Sequence, residues 1–82
     1  MTLKLTIRKD GDIIIIEFSG RFEIGEAVEV FRDTFRQQLK NGARKFIWNL
    51  KSLEYCDSSA LGALVSEFTS VRTKGVDVKL VR

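Results

Sequence analysis

The chain contains no histidine. That absence removes the commonest general base and the commonest metal ligand together, and it argues against an enzyme. A single cysteine, Cys56, excludes an internal disulfide. The longest apolar run, Ile13 to Ile16, is far too short to span a bilayer, and Met1-Thr2-Leu3-Lys4-Leu5 holds no apolar stretch of signal-peptide length. A cytoplasmic protein without membrane insertion is the simplest expectation. No Gly-rich phosphate loop and no G-x-S-x-G elbow occurs. A basic block is missing too: 14 Lys and Arg alternate with 11 Asp and Glu to give a net charge of +3. Without a concentrated basic stripe and exposed stacking aromatics, nucleic acid is not an expected partner.

What is present is an ordinary globular composition, 44% hydrophobic and 30% charged. The 82 residues suit one small domain, 1–82. A domain of this size buries only about 60% of the surface its unfolded chain exposes, which leaves no room for a large enclosed active site.

Taken in order, Thr2 to Arg8 alternate, with Leu3, Leu5 and Ile7 on one side, as in a half-buried strand near a sheet edge. Asp10-Gly11 supplies a hairpin turn. Ile13 to Phe18 is β-branched and apolar on both faces for four residues, the pattern of a central strand covered on both sides. Ser19 to Glu23 reads as a loop. Ile24, Val28, Phe31, Phe35 and Leu39 then define one face of an amphipathic helix, with Glu23, Glu26 and Glu29 early, Arg32, Arg36 and Lys40 late, and Asn41-Gly42 at its end.

Arg44 to Leu50 reads as a second buried strand, with Phe46, Trp48 and Leu50 on one side and Ile47 on the other, followed by a connection at Lys51-Ser52-Leu53-Glu54. Leu61, Leu64, Val65, Phe68 and Val71 mark a second helix, closed by Lys74-Gly75. Val76, Val78 and Leu80 form a last strand. The order β-β-α-β-α-β predicts an α/β fold: a mixed sheet whose first hairpin is antiparallel and whose later strands are parallel, with two packed helices. The two-sided Ile13–Ile16 run points to a second covering layer, such as a partner subunit.

The chain is organised around Tyr55-Cys56-Asp57-Ser58-Ser59-Ala60-Leu61-Gly62, where a strand ends and a helix begins. Asp57 or Ser58 is the expected N-cap, with Ser59 in the first turn. Cys56 has no His partner and reads as a small core residue. Ser58 or Ser59 could act as a nucleophile only with Lys51 or Lys74 as an unusual base. Glu23, Glu54 and Asp57 lack a recurring ligand spacing, so no metal is expected, and no cofactor either.

The whole pattern resembles the STAS domain family, and within it the small bacterial anti-sigma factor antagonists. The residues that carry the resemblance are Gly20-Arg21-Phe22, Phe46-Ile47-Trp48-Asn49-Leu50, Cys56-Asp57-Ser58-Ser59-Ala60-Leu61-Gly62-Ala63-Leu64 and Lys74-Gly75. The resemblance implies a phosphorylation-regulated binding protein whose partner is an anti-sigma factor that is also a serine kinase. Ser59 is the implied acceptor. Glu23, Asp57, Ser58, Ser59, Ala60 and Gly62, with the second helix, form the implied partner surface.

Ala60 stands where the family has glycine, which would place a methyl group where the kinase approaches; Asn49 and Glu23 stand where aspartate is more usual. Relative to the family the chain lacks a further C-terminal helix and strand, the expectation for a short homologue or a cut form, and a homodimer then becomes an attractive way to cover the sheet. The alternative within the same family is an unphosphorylated scaffold subunit of a stress-signalling or lipid-transport complex.

Overall fold

The computed structural model describes residues 2–82; Met1 lies outside the described residues. Six elements follow one another: β1 (Lys4–Asp10), β2 (Ile13–Phe22), α1 (Glu26–Lys40), β3 (Lys45–Cys56), α2 (Ser58–Arg72) and β4 (Asp77–Val81). They form one four-stranded sheet in the order β1-β2-β3-β4, with β1 antiparallel to β2 and the other pairs parallel. The expected α/β architecture with a mixed sheet is therefore present.

The first hairpin pairs Asp10 with Ile13, so its loop residues are Gly11 and Asp12 rather than Asp10 and Gly11. Gly11 takes φ 63° while Asp12 stays at negative φ, the pattern of a turn with glycine at its first central position. β1 lies at the sheet edge and begins at Lys4, two residues later than the alternation suggested.

β2 is central, but among the described residues no helix covers its second face. Ile14, Ile16, Phe18 and Phe22 are buried, whereas Ile13 and Ile15 are only half-buried. Both helices pack on the Ile14–Ile16 side, because the buried stripes of α1 and α2 join the same apolar cluster as these residues. At its centre Trp48 meets Phe31 and Phe35 edge-on, at centroid separations of 5.2 and 5.1 Å, and Phe35 meets Phe46 at 4.8 Å. Edge-to-face pairs of this kind are worth about 0.5–1.5 kcal/mol each beyond their burial.

Two expected loops are strand. Ser19 to Phe22 continue β2, and Lys51 to Cys56 continue β3. The register between them shifts twice, with Glu17 opposite Asn49 but Ser19 opposite Ser52, and Gly20 opposite Leu53 but Arg21 opposite Tyr55. β3 thus carries two extra residues, and each such bulge breaks the period-two pattern by which a strand is recognised. Gly20, at φ 86°, is required here, since a Cβ at that position would collide with the Thr2 carbonyl.

α1 starts at Glu26, leaving Ile24 outside the helix and 72% exposed instead of at the head of its apolar stripe. The remaining stripe holds, with Phe31 and Phe35 buried and Val28 and Leu39 packed against the core. α2 keeps Leu64, Phe68 and Val71 of its expected face against the core, but the centre of that face is shifted. Ala60, Ala63, Leu64, Glu67 and Val71 turn inward, while Leu61 and Val65 are more than half exposed. Glu67 is accommodated because its Oε2 lies 2.9 Å from Arg36 Nη2 and 3.4 Å from Arg32 Nε, an ion pair that joins the two helices. Among the described residues no helix is long and apolar enough to cross a membrane.

Candidate functional site

In a parallel sheet the strands deliver their helices from one end, so the N-termini of α1 and α2 emerge together beyond Phe22 and Cys56, which pair across β2 and β3. Asp57 joins the two connections. Its backbone N–H donates to the Phe22 carbonyl at 3.1 Å, and its own carbonyl accepts from Leu61 N at 3.0 Å. Its carboxylate Oδ1 accepts from Ala60 N at 2.8 Å, the bond of a helix N-cap, and Oδ2 accepts from Ile24 N at 2.9 Å in the opposite loop. The Ile24 N–H first, and the Ala60 N–H second, hold the carboxyl below its ordinary range by favouring the charged form. Asp57 rather than Ser58 is the cap.

With the cap settled, Ser58 and Ser59 occupy the first turn of α2, and both are exposed. No acidic residue lies in that first turn, so the positive end of the helix dipole is offset only by the cap. Gly62 is exposed, with open space where a side chain would stand. Ala60 differs from expectation: its side chain is fully buried and belongs to the core. Its methyl group does not face an approaching protein, and what Ala60 contributes to the turn is its N–H.

Glu23 stands half-exposed nearby, its Oε2 accepting from Arg21 Nε at 3.0 Å. The Arg21 guanidinium also lies over the Tyr55 ring, 4.3 Å from its centroid. Arg21, Glu23 and Ile24 border a shallow pocket of about 270 Å³ between the start of α1 and the residues preceding β1. Cys56 is exposed, not a core residue as expected. Partial desolvation, and then the Asp57 charge, push its thiol above the ordinary value, which disfavours the thiolate. Glu23, Glu54 and Asp57 do not assemble, and among the described residues no three His, Cys, Asp or Glu side chains form a group able to hold a metal.

The apolar residues that frame this turn were not legible as a surface. By period Ile24, Leu61 and Val65 each fall on a buried stripe, yet they stand outside it. A competing set at Ala60, Ala63/Leu64, Glu67 and Val71 has the same spacing. Period alone does not separate the two sets; Ala60 lies inward because α2 packs that face on the sheet.

A family model for the STAS domain matches residues 4–82. A STAS-domain containing protein of Pseudomonas aeruginosa (strain UCBPP-PA14) is 38% identical over 56 residues, which cover 68% of this chain and 54% of that protein, so the match spans about half the relative's length. Among solved structures, the STAS domain of an antisigma-factor antagonist from Rhodobacter sphaeroides superposes with a TM-score of 0.78 at 20% identity, covering 98% of this chain and 86% of the other. The unphosphorylated anti-sigma factor antagonist SpoIIAA gives 0.75 at 22%, covering 96% and 71%. The phosphorylated Bacillus SpoIIAA gives 0.73 at 21%, covering 92% and 68%. At such identities the structural likeness is one of fold.

Proposed function

The chain belongs to the STAS domain family, and on that premise we propose that it is a phosphorylation-regulated anti-sigma factor antagonist, a cytoplasmic binding module and not a catalyst. Its partner is an anti-sigma factor with serine kinase activity, and Ser59 is the residue that kinase modifies. The observation that carries this reading is the exposure of Ser59 in the first turn of a helix whose cap, Asp57, is tied to the neighbouring loop through Ile24. A hydroxyl held there is accessible to a second active site while its backbone is fixed.

The binding surface in this reading comprises Glu23, Asp57, Ser58, Ser59 and Gly62, to which Ile24, Leu61 and Val65 add exposed apolar area. Buried aliphatic groups surrounded by polar ones are the usual anatomy of such interfaces. A phosphate on Ser59 would meet the N–H groups and the positive dipole end of α2, so the fold tolerates it. It would also bring about −1.5 to −2 charges into the middle of that surface and oppose docking. Likeness to SpoIIAA, whose structure is known in both unphosphorylated and phosphorylated forms, supports a switch of this type.

The test is incubation with the cognate kinase and ATP followed by tandem mass spectrometry. Phosphate is expected on Ser59 alone and none on a Ser59→Ala variant; phosphate elsewhere, or nowhere, would refute the assignment. One observation favours the scaffold alternative, namely the half-buried Ile13, Ile15 and Ile47 on the sheet face that neither helix covers. A pull-down that recovers assembly or transporter components in place of a kinase would establish it.

A further inference from the structure

The two ends of the fold differ in charge. The Asp57 turn lies where β2 and β3 end, whereas α1 and α2 finish at the other end, beside the first residues of β3 and β4. Each helix has 15 residues, so the two ends stand about 22 Å apart at ~1.5 Å per residue. Between the helix C-termini opens a groove of about 350 Å³. Its floor is Leu39, Val71 and Val76; its rim is Arg36, Lys40, Arg44 and Lys74, and no carboxylate lines it.

Arg36 is paired with Glu67, and Arg44 is anchored by donating to the carbonyls of Leu39 and Ala43. Lys40 and Lys74 enter no ion pair among the described residues. A lysine in a last helical turn suits the helix dipole, which accounts for Lys40 by itself. It does not account for Lys40 and Lys74, both without an ion pair among the described residues, lining one aliphatic floor together with Arg36 and Arg44. That combination recognises an anionic segment carrying one aliphatic side chain, and its concave, single-residue scale excludes a duplex or a flat bilayer surface.

Such a segment is displayed by the chain itself. Glu23-Ile24-Gly25-Glu26 places an isoleucine, 72% exposed, between two glutamates at the opposite end of the fold. Glu26 is in no ion pair among the described residues, and Glu23 is held only by Arg21. The geometry points to a second copy of this chain as the occupant: Ile24 of one copy enters the groove of the next, with its flanking glutamates against Lys40 and Lys74. The two surfaces differ, so the contact is head-to-tail and leaves a free groove at one end and a free Ile24 segment at the other, from which association can continue. The interface is small and its charges are exposed, so association is weak and falls as salt screens them. Because Ile24 is hydrogen-bonded to Asp57, docking also covers the turn that carries Ser59.

Sedimentation equilibrium of the full chain, from micromolar to millimolar concentration, tests this, with circular dichroism to verify folding of each variant. The wild type is expected to rise above its monomer mass of 9.4 kDa, and to return toward it as salt increases from about 0.05 to 0.5 M. Ile24→Lys, and separately the double variant Lys40→Glu/Lys74→Glu, should each remain monomeric. Mixed in equal amounts, these two retain one working groove and one working segment between them, so they should form a 1:1 dimer and nothing larger. A wild type that stays monomeric at millimolar concentration overturns the proposal. So does self-association that persists in either variant, which would locate the contact elsewhere, such as the uncovered sheet face. Binding of an acidic peptide from another protein by a monomeric wild type would likewise show that the groove's occupant is not a second copy.

Discussion

The Asp57 carboxylate accepts the backbone N–H of Ile24, 33 residues earlier, at 2.9 Å while capping α2 through Ala60 at 2.8 Å. One side chain therefore sets both the start of α2 and the position of the loop that leads into α1. The surface around Ser59 inherits its shape from that double bond.

Substituting Asp57 should thus affect folding and binding together. Asn is an equally good helix cap but cannot offer two carboxylate oxygens, whereas Ala offers neither bond; urea midpoints are expected in the order wild type, Asp57→Asn, Asp57→Ala. The folded carboxyl lies below its ordinary value of 3.8, so its contribution is fully present above that value and disappears as pH falls from there through the lowered value. Urea melts at several pH values should show the gap between wild type and Asp57→Asn closing on acidification. A gap independent of pH would contradict this role for the charge.

Ser59→Asp separates stability from recognition. A carboxylate in an otherwise acid-free first turn should stabilise the domain by about 0.3–1 kcal/mol. On the proposed function, the same substitution should weaken binding of the kinase partner by about tenfold or more, through charge placed in the proposed interface. Thermal melts and calorimetric titration on the same preparation read both effects.

Glu67 is the buried carboxylate of the core-facing side of α2. Glu67→Gln removes the charge that Arg36 and Arg32 share and should cost about 1–3 kcal/mol by chemical denaturation. Both arginines are partly exposed, but Arg32 Nε is buried and has no hydrogen-bond partner. Glu67→Leu, which takes away every acceptor facing the two guanidinium groups, is therefore expected to cost more than the Gln variant.

Gly20 and Gly42 both have positive φ, 86° and 99°, but only Gly20 faces a neighbour, the Thr2 carbonyl. Gly20→Ala should destabilise by about 2–4 kcal/mol, combining backbone strain with displacement of the segment before β1. Gly42→Ala, in open space, should cost about 1 kcal/mol. Equal effects would show that the contact at Gly20 is not limiting.

The strands and helices were legible because Leu5, Ile14, Ile16, Phe46 and Trp48, and likewise Phe31 and Phe35, recur at the period of their elements. The second half of β3 was not, since its two bulges place residues such as Ser52 and Glu54 out of phase. The Ile13–Ile16 run has the pattern of a strand covered on both faces, but hydrophobicity reports only what a side chain prefers, and among the described residues no layer covers Ile13 and Ile15. At the candidate site, the small polar turn was legible from residue type alone. Its attachment to Ile24 was not, because a bond to a backbone N–H carries no side-chain signature. Ala60 illustrates the same limit in reverse: its identity stood out, while its direction depends on how α2 packs against the sheet, which residue identity alone does not determine.

The most direct measurement of the proposed switch is the affinity of the chain for the proposed serine-kinase partner before and after full phosphorylation, by isothermal titration calorimetry at fixed salt. Tight binding by the unmodified chain, loss of about tenfold or more on phosphorylation, and recovery after phosphatase treatment are the expected results. Equal affinity of the two forms, with phosphate confirmed on Ser59, would contradict the switch.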